Sequence, residues 1–163
     1  MPLIVDGYNL LRFVQKEGHF ENLAEVGLCR ILSDYLTSVR DRGHIVFDGT
    51  GPPDKHDFEQ LGGLANLEVY FSGADRDADE VIMQKIEDSS APKSLTVVST
   101  DREIRAAAEA RKATSVRADV FWHGLVSRLE TQQKAVHEPK AKRRGITEGE
   151  TDQWLDFFGI DRD

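Results

Sequence analysis

Short, continuous, β-branched runs alternate in this chain with helix-spaced stretches, and each of four runs leads into an aspartate. Leu3-Ile4-Val5 precedes Asp6, and His44-Ile45-Val46-Phe47 precedes Asp48. Leu95-Thr96-Val97-Val98 runs on to Asp101, and Leu67-Glu68-Val69-Tyr70-Phe71 is followed by Asp79 where the next helical stretch opens. Largely unbroken apolar runs suit strands buried on both faces. Between them, residues 23–40 place Leu28, Ile31, Leu32, Tyr35, Leu36 and Val39 on one helical face, with Gly43 as a stop signal. Residues 78–86 repeat the spacing through Ala78, Ile82 and Ile86, and residues 103–112 are rich in the helix formers Ala, Arg and Glu. A short strand at residues 114–116 and a helix over residues 120–133 complete the series. Strict alternation predicts an α/β fold of three layers, with a central, mainly parallel sheet and helices on both faces. In such a sheet the carboxyl ends of the strands share one edge, and ligands bind there.

Asp6, Asp48, Asp79 and Asp101 are therefore expected to converge although they are far apart in sequence. Crowded carboxylates repel each other unless a cation holds them, and Mg²⁺ and Mn²⁺ prefer such oxygen ligands. The pattern points to a metal-dependent enzyme acting on phosphate esters. Helix capping is the plainer reading of some of these acids. Thr100 and Glu103 are spaced as a capping box that puts Asp101 in a first helical turn, and Asp77 and Glu80 do the same for Asp79. Capping accounts for Asp77, Glu80 and Glu103. It does not explain why Asp79 and Asp101 should join Asp6 and Asp48. Asp6-Gly7 and Asp48-Gly49 are turn signals in isolation, and Asn9 either closes an Asx turn or orients Asp6 from behind. His56 falls in a loop of Gly, Pro and Asp that could approach a substrate, whereas His123 reads as packed or solvated.

The net charge of −8 hides an asymmetry. Residues 101–144 hold 11 Lys/Arg and 6 Asp/Glu, a net +5, so the remainder carries −13. An acidic pocket beside a basic surface suits a polyanion better than the total implies. The chain of 163 residues reads as a single catalytic domain over residues 1–133. A basic linker over 134–146 follows, with Lys140, Lys142, Arg143 and Arg144. A helical tail over 147–163 carries Trp154, Leu155 and Phe158. The lone Cys29 sits among Leu28, Ile31 and Leu32 and reads as a core residue. No signal-peptide pattern and no apolar run long enough for a bilayer occurs, so the expectation is a cytoplasmic protein without membrane contact. Walker-type, GxGxxG, GxSxG and Cys/His zinc patterns are all missing from the sequence.

The segment Val5-Asp6-Gly7-Tyr8-Asn9 resembles the start of the YacP-like branch of NYN domains, relatives of PIN-type nucleases. The likeness continues through Val46-Phe47-Asp48, Ala78-Asp79-Glu80 and Val98-Ser99-Thr100-Asp101, over residues 3–130. It implies a Rossmann-like PIN fold and Mg²⁺- or Mn²⁺-dependent cleavage of RNA. Asp6, Asp79 and Asp101 then take the catalytic and metal positions, with Asn9 and Asp48 in support. The acid-rich approach Asp75-Arg76-Asp77 departs from the pattern and leaves open whether Asp77 or Asp79 is the stronger ligand. Relatives of this branch are endoribonucleases of bacterial RNA turnover, some tied to translation, which brings mRNA and the ribosome in as expected partners. Arg102, Arg105 and the four cations of the linker are the expected grips on backbone phosphates. Two rivals keep the same edge: an RNA- or ribosome-binding module without cleavage, and a metal-dependent phosphatase acting on small esters.

Overall fold

The computed structural model of the chain describes residues 2–18, 20–51, 64 and 66–136. In chain order the elements are β1 (Leu3–Asp6), α1 (Gly7–Lys16), α2 (Glu25–Val39), β2 (Gly43–Phe47) and β3 (Leu67–Phe71). Then come α3 (Ala78–Asp88), β4 (Thr96–Val98), α4 (Arg102–Ala110), β5 (Thr114–Val116) and α5 (Ala118–Val136). The five strands form one parallel sheet in the order β3-β2-β1-β4-β5. The chain begins in the middle of the sheet, builds outward through β2 and β3, then returns to the other side of β1 for β4 and β5. The strand order thus reverses between β1 and β4, the place where open α/β sheets carry their sites.

Successive residues of a strand point to opposite faces, and the core divides accordingly. Val5, Ile45, Phe47 and Val98 pack with Leu10, Leu28, Leu32, Trp122 and Leu125 under α1, α2 and α5. Ile4, Val46 and Val97 pack with Ile82, Ile86 and Ile104 under α3 and α4. Lys85 fastens α3 to the sheet: its ammonium donates to His44 Nδ1 at 3.2 Å and lies over the Tyr70 ring at 3.5 Å. That anchor fixes the helix whose first turn carries Asp79.

Three local expectations are corrected. Helix α1 stands where none was expected, with Leu10, Leu11 and Val14 buried along one face. Helix α2 ends at Arg40 as expected, but the stop is Arg40 itself in the left-handed conformation (φ 56°), not Gly43. Gly43 opens β2, where an added Cβ would lie 3.2 Å from Leu3 Cβ and from Leu36 Cδ1. Helix α5 runs to Val136, past the boundary expected at residue 133. The linker cations Lys140, Lys142, Arg143 and Arg144, the tail residues Trp154, Leu155 and Phe158, and His56 lie outside the described residues. Among the described residues no helix is long and apolar enough to cross a membrane.

Gly7 is required by space. A Cβ there would stand 2.5 Å from Phe47 Cδ1 and 2.8 Å from the Val46 carbonyl oxygen. Gly7→Ala is expected to cost about 1–3 kcal/mol through forced repacking of Phe47. Urea denaturation would read this as a lower midpoint at unchanged slope, and an unchanged midpoint would refute the close fit.

Candidate functional site

Asp6 closes β1 and stands as the N-cap of α1, yet its side chain makes no capping hydrogen bond. Its carboxylate is left for the site. The residue is only 8% exposed, and burial raises its pKa to about 6. A bond from Ser99 opposes that rise, Asp79 and Asp101 add to it, and the Asn9 backbone N–H again lowers it. Ser99 is fully buried. Its hydroxyl donates to Asp6 Oδ2 at 3.0 Å and accepts the Asp101 backbone N–H at 3.0 Å. One serine thus ties the ends of β1 and β4 together.

Asn9 makes a second tie. Its amide nitrogen donates to Thr100 Oγ1 at 2.7 Å, and its amide oxygen accepts the Thr100 N–H at 3.0 Å. Thr100 is therefore not the cap that the capping-box spacing suggested. Asp101 takes that role, its Oδ1 accepting the N–H groups of Glu103 (2.9 Å) and Ile104 (3.2 Å). Both capping bonds use one oxygen, so Oδ2 has no part in the cap.

Asp77 caps α3 through Oδ1 and the Glu80 N–H at 2.9 Å, as its spacing implied. Asp79 follows in the first turn. Burial raises its pKa first, then the charges of Asp101, Asp77, Glu103 and Asp48. Asp79 thus faces the acids of β1, β2 and α4, whereas Asp77 spends an oxygen on its helix. Asp48 is exposed, and its Oδ1 accepts from the Ala78 N–H at 3.2 Å and from Ser72 Oγ at 3.3 Å. It ties the end of β2 to the start of α3.

Asp6, Asp79 and Asp101 lie near enough along the carboxyl edge for their charges to act on one another, and Asp48 acts on Asp79. None of the ion pairs among the described residues involves Asp6, Asp79 or Asp101. Among the same residues, no three His, Cys, Asp or Glu side chains draw close enough together to grip one ion. Arg102 is exposed beside Asp101, and Arg105 donates from Nε to Ser115 Oγ at 3.4 Å. His123 pairs with Glu17 at 3.5 Å and meets Phe13 edge-on, both toward the far end of α1 from Asp6. Sequence reasoning missed Ser99 as a member of the site. Its only sequence signal is its place between the buried Val98 and Asp101.

No curated protein sequence matches the chain. Crystal structures of Rae1 (YacP) from Bacillus subtilis share its fold. One superposes with a TM-score of 0.62 at 19% identity, covering 98% of this chain and 92% of that one. A tryptophan-to-leucine mutant of the same protein gives 0.64 at 17% identity, covering 95% and 90%. At such identity the likeness speaks for the fold alone. The profile of the YacP-like NYN domain matches residues 3–155, nearly the whole chain, and with the parallel sheet and its acidic edge already in place, the chain belongs to the YacP-like NYN domain family.

Proposed function

We propose that this protein is a metal-dependent endoribonuclease that hydrolyses phosphodiester bonds of RNA. Its setting is bacterial RNA turnover in the cytoplasm, with single-stranded or messenger RNA as substrate and the ribosome as a place of action. The observation that carries this reading is Asp6: a carboxylate buried at the strand-order reversal, flanked by two more acids and by no basic partner among the described residues. The donor set is carboxylate oxygen, with no thiol or imidazole beside it among the described residues, which fits a hard divalent cation such as Mg²⁺ or Mn²⁺. Asp6, Asp79 and Asp101 would hold it once drawn in around it, since they stand too far apart here to grip one ion together. When bound, such an ion would acidify water and neutralise charge building on the phosphate oxygens.

The chain's own groups prepare that centre. Ser99 holds Oδ2 of Asp6 and so fixes the plane of its carboxylate. The Asn9–Thr100 pair locks the start of α1 to the start of α4. Arg102, exposed next to Asp101, would attract the phosphate backbone. No side-chain nucleophile is needed. The test is incubation with single-stranded and structured RNA, with Mn²⁺ or with EDTA, followed by mapping of product ends. Internal cleavage that EDTA abolishes supports the reading. RNA binding without cleavage, or turnover of small phosphate esters alone, would overturn it.

The basic stretch makes a separate prediction. Replacing Lys140, Lys142, Arg143 and Arg144 together with Ala should weaken RNA binding and flatten its salt dependence. Every phosphate that a protein neutralises on single-stranded RNA steepens the slope of log K against log salt by about 0.7, so four fewer should flatten it by about 3. Equal affinity and slope for both proteins over a salt series would show that the stretch does not hold RNA.

A further inference from the structure

Arg12 and Tyr8 form a pair on α1 that the acidic centre does not use. They stand one turn apart on α1, and helical side chains lean back toward the N-terminus. The Arg12 guanidinium accordingly lies over the Tyr8 ring, 5.9 Å from its centroid. Arg12 is exposed and takes part in no ion pair among the described residues. Tyr8 is held from two further sides. Its hydroxyl donates to Glu25 Oε1 at 3.1 Å, and its ring meets Phe47 edge-on at 5.1 Å. Phe47 in turn stacks on Phe71 at 5.7 Å. An aromatic row therefore runs beneath the carboxyl ends of β1, β2 and β3 and ends under Arg12. Asp48 reaches Tyr8 electrostatically: burial and Glu25 raise the phenol's pKa most, Arg12 lowers it, and Asp48 raises it further.

A guanidinium is flat and weakly hydrated on its faces, and its plane is a surface on which nucleobases stack. Glu25 and Asp48 beside the ring make this spot unwelcoming to a second phosphate, but not to a neutral base. Tyr8 stands in the first turn of the helix whose N-cap is Asp6 and feels the charge of Asp48, so a base stacked here belongs to a nucleotide flanking the bond held at the acidic centre. We propose that Arg12, backed by the Tyr8 ring, is the stacking platform for one nucleobase of single-stranded RNA. The placement of that nucleotide beside the scissile bond rests on the nuclease reading. The platform favours unpaired RNA, because a base within an A-form duplex is already stacked on both faces.

The test is the binding of a fluorescein-labelled single-stranded oligoribonucleotide in EDTA, followed by anisotropy. It uses the full chain as wild type, Arg12→Ala, Arg12→Lys and Tyr8→Leu. Each is measured with the intact oligonucleotide and with a series carrying one abasic nucleotide at successive positions. Arg12→Ala and Tyr8→Leu should each weaken binding about 5- to 100-fold, the range for losing one stacked base. At one position the abasic change should weaken the wild type by a similar factor and leave Arg12→Ala unaffected. Arg12 is exposed, so its replacement tests the idea even if Tyr8→Leu disturbs the core. Three results overturn the platform: abasic penalties equal in wild type and Arg12→Ala at every position, Arg12→Lys binding like wild type, or no measurable RNA binding by the wild type. Failure of the wild type to cleave RNA with Mn²⁺ is a separate result. It removes the nuclease reading and leaves the binding comparison to decide the platform.

Discussion

Asp79→Asn protein should lose cleavage of RNA by about 10³-fold or more, as expected when several kcal/mol of transition-state stabilisation by a bound cation is removed. The substitution keeps the shape of the side chain and removes its charge. Asp79 leaves the capping of α3 to Asp77, and its neighbours Asp101, Asp77, Glu103 and Asp48 all push against its ionised form. The protein should therefore fold normally and resist urea at least as well as the wild type. Asp77→Asn should do far less to cleavage, because the Asp77 carboxylate is engaged with the Glu80 N–H and an amide oxygen can still accept that bond. The pair of variants decides which acid of the Asp77-Ala78-Asp79 stretch serves the chemistry. Wild-type rates from both Asp6→Asn and Asp79→Asn would sink the metal-centre reading altogether.

Much of this arrangement was legible because strand burial writes itself plainly. Leu67–Phe71 and Thr114–Val116 appear where their β-branched and aromatic residues predict, and the parallel order follows from the alternation. The strand-end places of Asp6 and Asp48 were legible for the same reason, since a strand end in a parallel sheet has only one edge to lie on. What local pattern could not show was long-range hydrogen bonding. The Thr100/Glu103 spacing satisfies a capping box, but Asn9, 91 residues away in sequence, takes both the Thr100 hydroxyl and its N–H, and the cap passes to Asp101. Helix α1 was hidden because its apolar residues Leu10, Leu11 and Val14 span little more than one turn, and Asp6-Gly7 reads as a turn. In place, Gly7 is helical and its missing Cβ admits Phe47. Gly43 looked like a helix stop because glycine favours that role. The crowding of Leu3 and Leu36 around its position gives it a different one.

Asp6→Asn should stabilise the metal-free protein by about 2–3 kcal/mol at pH 8, the second large effect, as a shift from 3.8 to about 6 converts at about 1.4 kcal/mol per unit. The folded-state pKa is raised above the unfolded value, so the wild type enjoys its full stability from this group only below about pH 3.8. That contribution is lost as pH rises through about 6, where burial and the charges of Asp79 and Asp101 oppose the ionised form. The neutral amide escapes this loss and can still accept the Ser99 hydroxyl. Urea unfolding of both proteins in EDTA, from pH 4 to pH 8, should show the variant's advantage emerging across that window. Adding Mn²⁺ at pH 8 should then reverse part of the comparison. A cation that binds only the folded state raises the wild type's Tm with concentration, and the variant, with one charge fewer at the carboxyl edge, should gain less. Curves that stay parallel across the pH range would mean that Asp6 is not held against its charge. A Tm shift by Mn²⁺ of equal size in both proteins would mean that the ion binds elsewhere.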